Sequence, residues 1–226
     1  MKKIILLTTF VFVALISQAQ KDVTRFLEIP VDGTKSEMIQ KLKDKGFEYN
    51  PELEILEGEF NGRDVYIGIV TNNRKVWRIW VRDAHGVNET QIRIRFNNLL
   101  QQFNNNKKYY SWPDSVILKY TIPQDEDISY EMSVNHKSYE MEFYQKDSYD
   151  LKLEMELDSL ERLEPSVDVL DQKIQISNEK ISRIVSLLQG EKNNLVWFTI
   201  NKESNGKYYI YLFYDNDYNK ANGEDL

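Results

Sequence analysis

Cysteine is absent from all 226 residues. That excludes disulfides, thiolate metal sites and a cysteine nucleophile. It also removes the lipid-acceptor residue that a bacterial lipoprotein carries behind its leader. Histidine is nearly absent: His85 lies in the turn-like Asp83-Ala84-His85-Gly86 and His136 in Asn135-His136-Lys137-Ser138. Neither has a second histidine at metal-ligand spacing. No Gly-x-Ser-x-Gly elbow occurs, and Asp83 and His85 read as turn residues rather than as a catalytic dyad. Positive charge is in deficit, with 29 basic against 36 acidic residues and a formal net charge of −7. Such a chain lacks the basic footprint of a nucleic-acid binder and is repelled by anionic membrane surfaces.

Long apolar runs are missing too, with one exception. The N-terminus reads MKKIILLTTFVFVALISQAQ. Lys2 and Lys3 precede an apolar run from Ile4 to Ile16, and small residues, Ser17 and Ala19, follow it. The run is short for a membrane span and fits a secretory signal peptide over residues 1–19. Removing it leaves 207 of the 226 residues and no membrane span. The 29 basic residues less the two leader lysines, against 36 acidic ones, give a net charge of −9. The expected location is therefore periplasmic or extracellular. A hydrophobic content of 41% is ample for a packed core.

The chain reads as helix followed by meander, about three times over. In the first round Thr34 and Glu37 form a capping box ahead of Met38, Ile39 and Leu42 on one helical face. Gly46 stops the helix and Phe47 folds back on it. Three strand-like runs follow, LEILEGEF, RDVYIGIVT and KVWRIWVRD. Asn61-Gly62 is a strong hairpin signal between the first two, and Asn72-Asn73 turns the second into the third. The second round opens at the Asn88 cap, with Ile92, Phe96, Leu99, Leu100 and Phe103 at helical spacing. Four strands are expected after it: SVILKYTI, ISYEMSV, YEMEFYQ and YDLKLEMELD. The last alternates Leu151, Leu153, Met155 and Leu157 with Lys152, Glu154, Glu156 and Asp158. Residues 163–176 read as a connection with one short strand. The third round has a helical stripe, Ile181, Ile184, Val185 and Leu188, ending at Gly190. A hairpin follows, LVWFTINKE and KYYIYLFYD, turning at Ser204-Asn205-Gly206. Its last strand is apolar on both faces and is expected to be central and covered on both sides. The class is α+β, an antiparallel sheet with helices on one face. The expected parts are residues 20–110 and 111–226, in one continuous domain or two.

IPVDGTKSEMIQKLKDKGFEY and the terminal YDNDYNKANGEDL together resemble a group of secreted proteins of Bacteroidetes. The stretch from Asp32 to Phe47 is also similar to the helix opening of beta-lactamase-inhibitory-protein-like domains, where a capped helix packs on an antiparallel sheet. That second resemblance implies a protein-binding, non-enzymatic role. The first implies that Asp114-Ser115-Val116 and Asp158-Ser159-Leu160 are candidate acceptors of O-linked glycan at Ser115 and Ser159.

Three constellations have chemical content. The tail places Asp215, Asp217 and Asn219 at the first ligand positions of a calcium loop. Lys220 and Leu226 stand where its glycine and glutamate belong, so a strand end and surface turn is the plainer reading. If all four middle runs are strands, Glu131, Glu142 and Lys152 lie side by side on one sheet face, and Ser133, Glu140 and Glu154 beside them. Glu140 opposite Glu154 would be a like-charge pair, an acidic face suited to a cation or a basic partner. A solvated sheet face lacks the cleft and raised-pKa acid of a glycosidase. Finally Trp80 lies beside Arg78 and Arg82, facing away from a core side occupied by Trp77, Ile79 and Val81. It is a binding anchor, a sugar platform, or cation–π packing.

The expectation is a secreted, non-enzymatic protein that binds a protein or envelope component through a sheet face. A carbohydrate- or small-ligand-binding module is the alternative, and a hydrolase with an unrecognised site the third reading. No cofactor is indicated.

Overall fold

In a computed structural model, residues 23–188 and 194–221 are described. The leader, Gly190 and residues 222–226 lie outside them. A small hairpin, β1 (Arg25–Phe26) and β2 (Ile29–Pro30), leads into α1 (Lys35–Lys43), β3 (Glu48–Asn50), β4 (Ile55–Phe60), β5 (Arg63–Asn72), β6 (Lys75–Asp83) and α2 (Glu89–Asn104). Two short helices follow, α3 (Asp114–Tyr120) and α4 (Ile128–Ser133), then β7 (Glu140–Tyr144), α5 (Ser148–Glu161), α6 (Val167–Leu188), β8 (Leu195–Lys202) and β9 (Tyr208–Asp215). A 3-10 turn covers Asp217–Asn219. The larger sheet has seven antiparallel strands in the order β3-β4-β5-β6-β9-β8-β7. The protein is thus α+β with an antiparallel sheet. Strands from both halves of the chain share that sheet, because β6 pairs with β9.

Local signals explain the first half. Thr34 accepts from the Glu37 amide and Glu37 returns the bond to the Thr34 amide, so both free donors at the start of α1 are satisfied. Asn88 and Gln91 do the same for α2. Asn61 and Gly62 both take positive φ, as the tight turn between β4 and β5 demands. The next turn centres on Asn73 and Arg74, which take the left-handed conformation one residue beyond the expected pair. The Phe47 ring occupies the space above Gly58, where a Cβ would meet it at 2.6 Å.

Alternation in the strands assigns two faces. Leu56, Val65, Ile67, Ile79, Val81, Val196, Phe198, Ile210 and Leu212 point inward and are buried. Met38 and Leu42 of α1 join this core, and α2 adds Ile92, Phe96, Leu99 and Leu100. Phe103 stacks on Phe143 and Phe198 at 5.1 and 5.6 Å. Burying such side chains contributes roughly 1.5–3 kcal/mol each. The rims of the sheet are managed separately. β3 is three residues long, and along β7 the Trp112 indole donates to the Glu142 carbonyl at 2.8 Å while the Tyr110 amide donates to that of Tyr144.

The second half departs from the sequence reading. Of the four strands expected over residues 115–158, β7 alone is a strand. SVILKYTI and ISYEMSV are largely the short helices α3 and α4, the latter capped by Asp127 accepting from the Tyr130 amide. YDLKLEMELD is α5, opened by an Asp147–Asp150 capping box. Its Leu, Glu, Lys and Met residues are strong helix formers, and its buried residues, Asp150, Leu153 and Leu160, recur at helical rather than strand spacing. Residues 167–176 form the first turns of α6 rather than a connection. β9 is central, as expected, but it is helix-covered on one side only.

Candidate functional site: the outer face of the sheet

The outward residues of β5, β6, β9, β8 and β7 form two rows that run straight across the strands. The first row is Gly68, Trp80, Phe213, Trp197 and Glu142. The second is Tyr66, Arg82, Tyr211, Thr199 and Glu140. The aromatic and arginine members are half-exposed, whereas Glu140 and Glu142 are exposed. α1 and α2 pack on the opposite, inner side.

Ring geometry in the first row is tight. Trp197 and Phe213 stack at 4.1 Å between centroids and 19° between planes. Phe213 and Tyr211 lie 6.2 Å apart at 13°. Trp80 occupies the space over Gly68 that a side chain there would need, since a Cβ at 68 would meet its indole at 2.0 Å. Glycine at 68 is therefore what lets Trp80 lie against the sheet.

Two guanidinium groups flank the rings. Arg78 binds Asp215 through two bonds of 2.6 Å, and the Trp197 indole donates to the same carboxylate at 3.1 Å. The Arg78 guanidinium sits 4.4 Å from the Trp77 ring and 4.9 Å from Phe213, an arrangement favoured by the ring quadrupoles. Arg82 pairs with Glu203 at 2.8 Å and lies 4.2 Å from the Tyr209 ring. Its Nε, buried, has no acceptor among the described residues. Burial pushes the Tyr144 phenol, at the β7 end of this face, up to about 12, and the Glu142 carboxylate adds to the effect.

The structure brings Arg78, Trp80, Arg82, Glu140 and Glu142 onto one face, but it separates the expected acidic cluster. Glu131 lies on α4 and accepts from Asn135. Glu154 lies on α5, bridging Lys146 at 2.9 Å and Lys180 at 3.1 Å. Glu140 is opposite Thr199, not Glu154. The like-charge pair does not exist, because α5 is a helix. Trp77 is half-exposed rather than core. A bulge between Val70 and Thr71 makes it the extra residue of β6, which breaks the alternation that assigned it inward.

The tail does not assemble a calcium site. The carboxylate of Asp215, 2% exposed, is taken by Arg78 and Trp197. Asn219 uses its side-chain amide to donate to Asp32 and to the Val76 carbonyl. No group of three or more potential metal ligands occurs among the described residues. His85 lies 3.5 Å from Asp64, both well exposed. Ser115 and Ser159 sit exposed on α3 and α5.

Sequence reasoning missed the contributions of β8 and β9. Trp197, Tyr211 and Phe213 alternate visibly within their own strands, but nothing local reveals that β9 lies beside β6. It found the stripe at Ile181 and Ile184 but neither its extension back to Val167 nor its exposure. Val167, Leu170, Ile174, Ile181 and Ile184 of α6 are exposed at intervals of three, four or seven residues, while α6 packs on α5. No described helix is long and apolar enough to cross a membrane. No family model, curated protein or solved structure matches this chain.

Proposed function

We propose that the chain is an exported, non-enzymatic module that docks a protein partner on the outer face of its sheet. The observation that carries this reading is the row of rings and guanidinium groups held in place across β6, β9 and β8. Aromatic and arginine side chains dominate the energetics of protein interfaces, and rings already stacked and bonded lose little further freedom when a partner arrives. Exposed Glu140 and Glu142 at one end supply charge that selects the partner's orientation. Trp197 and Phe213 have their faces turned to each other, which leaves those faces unavailable to a sugar ring. The glycan reading therefore rests on Trp80, lying over Gly68 with its outer surface half-exposed, and on the half-exposed Tyr66 and Tyr211.

Affinity capture from bacterial envelope extract tests the assignment. The baits are the chain from Gln20 onward and a Trp80→Ala, Glu142→Lys double variant of matched melting temperature. The expected result is a stoichiometric protein partner bound by the first bait and lost by the second. A partner retained equally by both places the interface elsewhere. Glycan binding that disappears with Trp80→Ala alone moves the function to the carbohydrate reading.

A further inference from the structure

The inner side of the sheet has a site of different chemistry, independent of the outer face. A groove of about 1060 Å³ opens beside the β1–β2 hairpin, α2 and the start of α5. That is at the upper end of small-molecule sites, roughly 300–1,000 Å³. Its floor includes Phe47, Phe60, Leu99, Phe103 and Leu212. Its rim has four cations, Arg25, Lys45, Lys108 and Lys146, against two carboxylates, Glu28 and Glu59. Lys108 is committed to Glu28 and Lys146 to Glu154. Arg25 and Lys45 make no direct ion pair among the described residues, though both lie in the field of Glu28.

A hydrogen-bond inventory points the same way. Tyr109 and Tyr214 both line the groove and are buried, at 7% and 4% exposed. The Gln145 side-chain amide donates to the Tyr109 hydroxyl at 3.1 Å and to the Arg25 carbonyl at 2.7 Å. The Tyr214 phenol lies beside that of Tyr109, close enough for each to affect the other's titration. Each hydroxyl brings one proton, and because Tyr109 is the acceptor in its bond from Gln145, that bond leaves the Tyr109 proton for a further acceptor. Burial raises both phenols above their ordinary value, so they remain donors at neutral pH. Gln145 thus ties the backbone of a cationic residue, Arg25, to a buried phenol with a proton to donate, beside the apolar residues of the groove.

We propose that this groove binds a single-chain fatty acid. Its carboxylate meets the Tyr109 donor and the field of Arg25 and Lys45, and its alkyl chain lies along Phe47, Leu99 and Phe103. A monoanion matches one spare donor and two cations that make no direct ion pair. The buried rings and leucines of the groove are complementary to a hydrocarbon tail.

The test is calorimetric titration of delipidated protein, from Gln20 onward, with dodecanoate, dodecyltrimethylammonium and dodecanol. Saturable one-to-one binding of dodecanoate is expected, with the alcohol about tenfold weaker, as loss of a charge-assisted hydrogen bond implies, and no binding of the cation. Lys45→Glu and Tyr109→Phe should each weaken dodecanoate by roughly tenfold. Gln102→Trp, at an exposed α2 position on the groove wall, should block it while leaving the melting temperature unchanged. The proposal is overturned if dodecanoate does not bind, or if the cationic amphiphile binds as tightly. It is equally overturned if a folded Gln102→Trp variant binds as the parent does.

Discussion

Asp215 illustrates how much one side chain can hold. Its carboxylate is nearly inaccessible, binds Arg78 twice and accepts from the Trp197 indole, while its backbone carbonyl accepts from the Thr24 hydroxyl. Removing one member of a buried pair leaves the other charge uncompensated, at a cost of about 3–5 kcal/mol. Arg78 is 22% exposed in its side chain, so water recovers part of that loss. Asp215→Ala is expected to cost about 2–4 kcal/mol in a urea melt. Glu203→Ala, which breaks the more exposed pair with Arg82, should cost less than about 1 kcal/mol. Equal losses would mean that Asp215 is not the anchor its geometry makes it.

At the scale of elements, α5 is the informative case. Strict alternation of Leu151, Leu153, Met155 and Leu157 places all four on one side of a strand, whereas a helix scatters them. Leu153 is 3% exposed and Met155 73%. Leu153→Ala is therefore expected to destabilise by about 2–4 kcal/mol and Met155→Ala by less than about 0.5 kcal/mol. Comparable costs at the two positions would restore the strand. The first half of the fold was legible because its signals are local: two capping boxes, an Asn-Gly turn and uninterrupted 3.6-residue periods. The middle was not, because helix propensity and the Asp147 cap outweighed a two-residue period that happened to be regular. For the candidate site, alternation put Arg78, Trp80 and Arg82 on the correct side. It failed at Trp77, since a one-residue bulge leaves no trace in sequence. The aromatic partners on β8 and β9 were beyond reach because Arg78 and Asp215 meet across 137 positions, and contacts that distant are set by the whole core.

For the whole molecule, tyrosine decides behaviour in base. Of the 14 tyrosines, Tyr144 is pushed up to about 12 by burial and by Glu142. Burial raises Tyr109, Tyr211 and Tyr214 as well. A group with a folded value above its unfolded one stabilises the fold while protonated. That contribution is complete below the ordinary value of 10.0 and, for Tyr144, is lost between there and about 12. Melting temperature should therefore drop steeply over that interval. Tyrosinate absorbance should rise in two stages, exposed phenols first and buried ones only with unfolding. A single stage near 10, with the fold intact, would show that the buried class does not exist.

The rims of the sheet set one last condition. One terminal strand is three residues long, and at the other the Trp112 indole and the Tyr110 amide occupy carbonyls that a further strand would need. Unpaired edge strands are where unfolded neighbours add to a sheet. Capped in this way, the larger sheet offers such neighbours little room for strand addition, and its two broad sides are the surfaces left for a visitor.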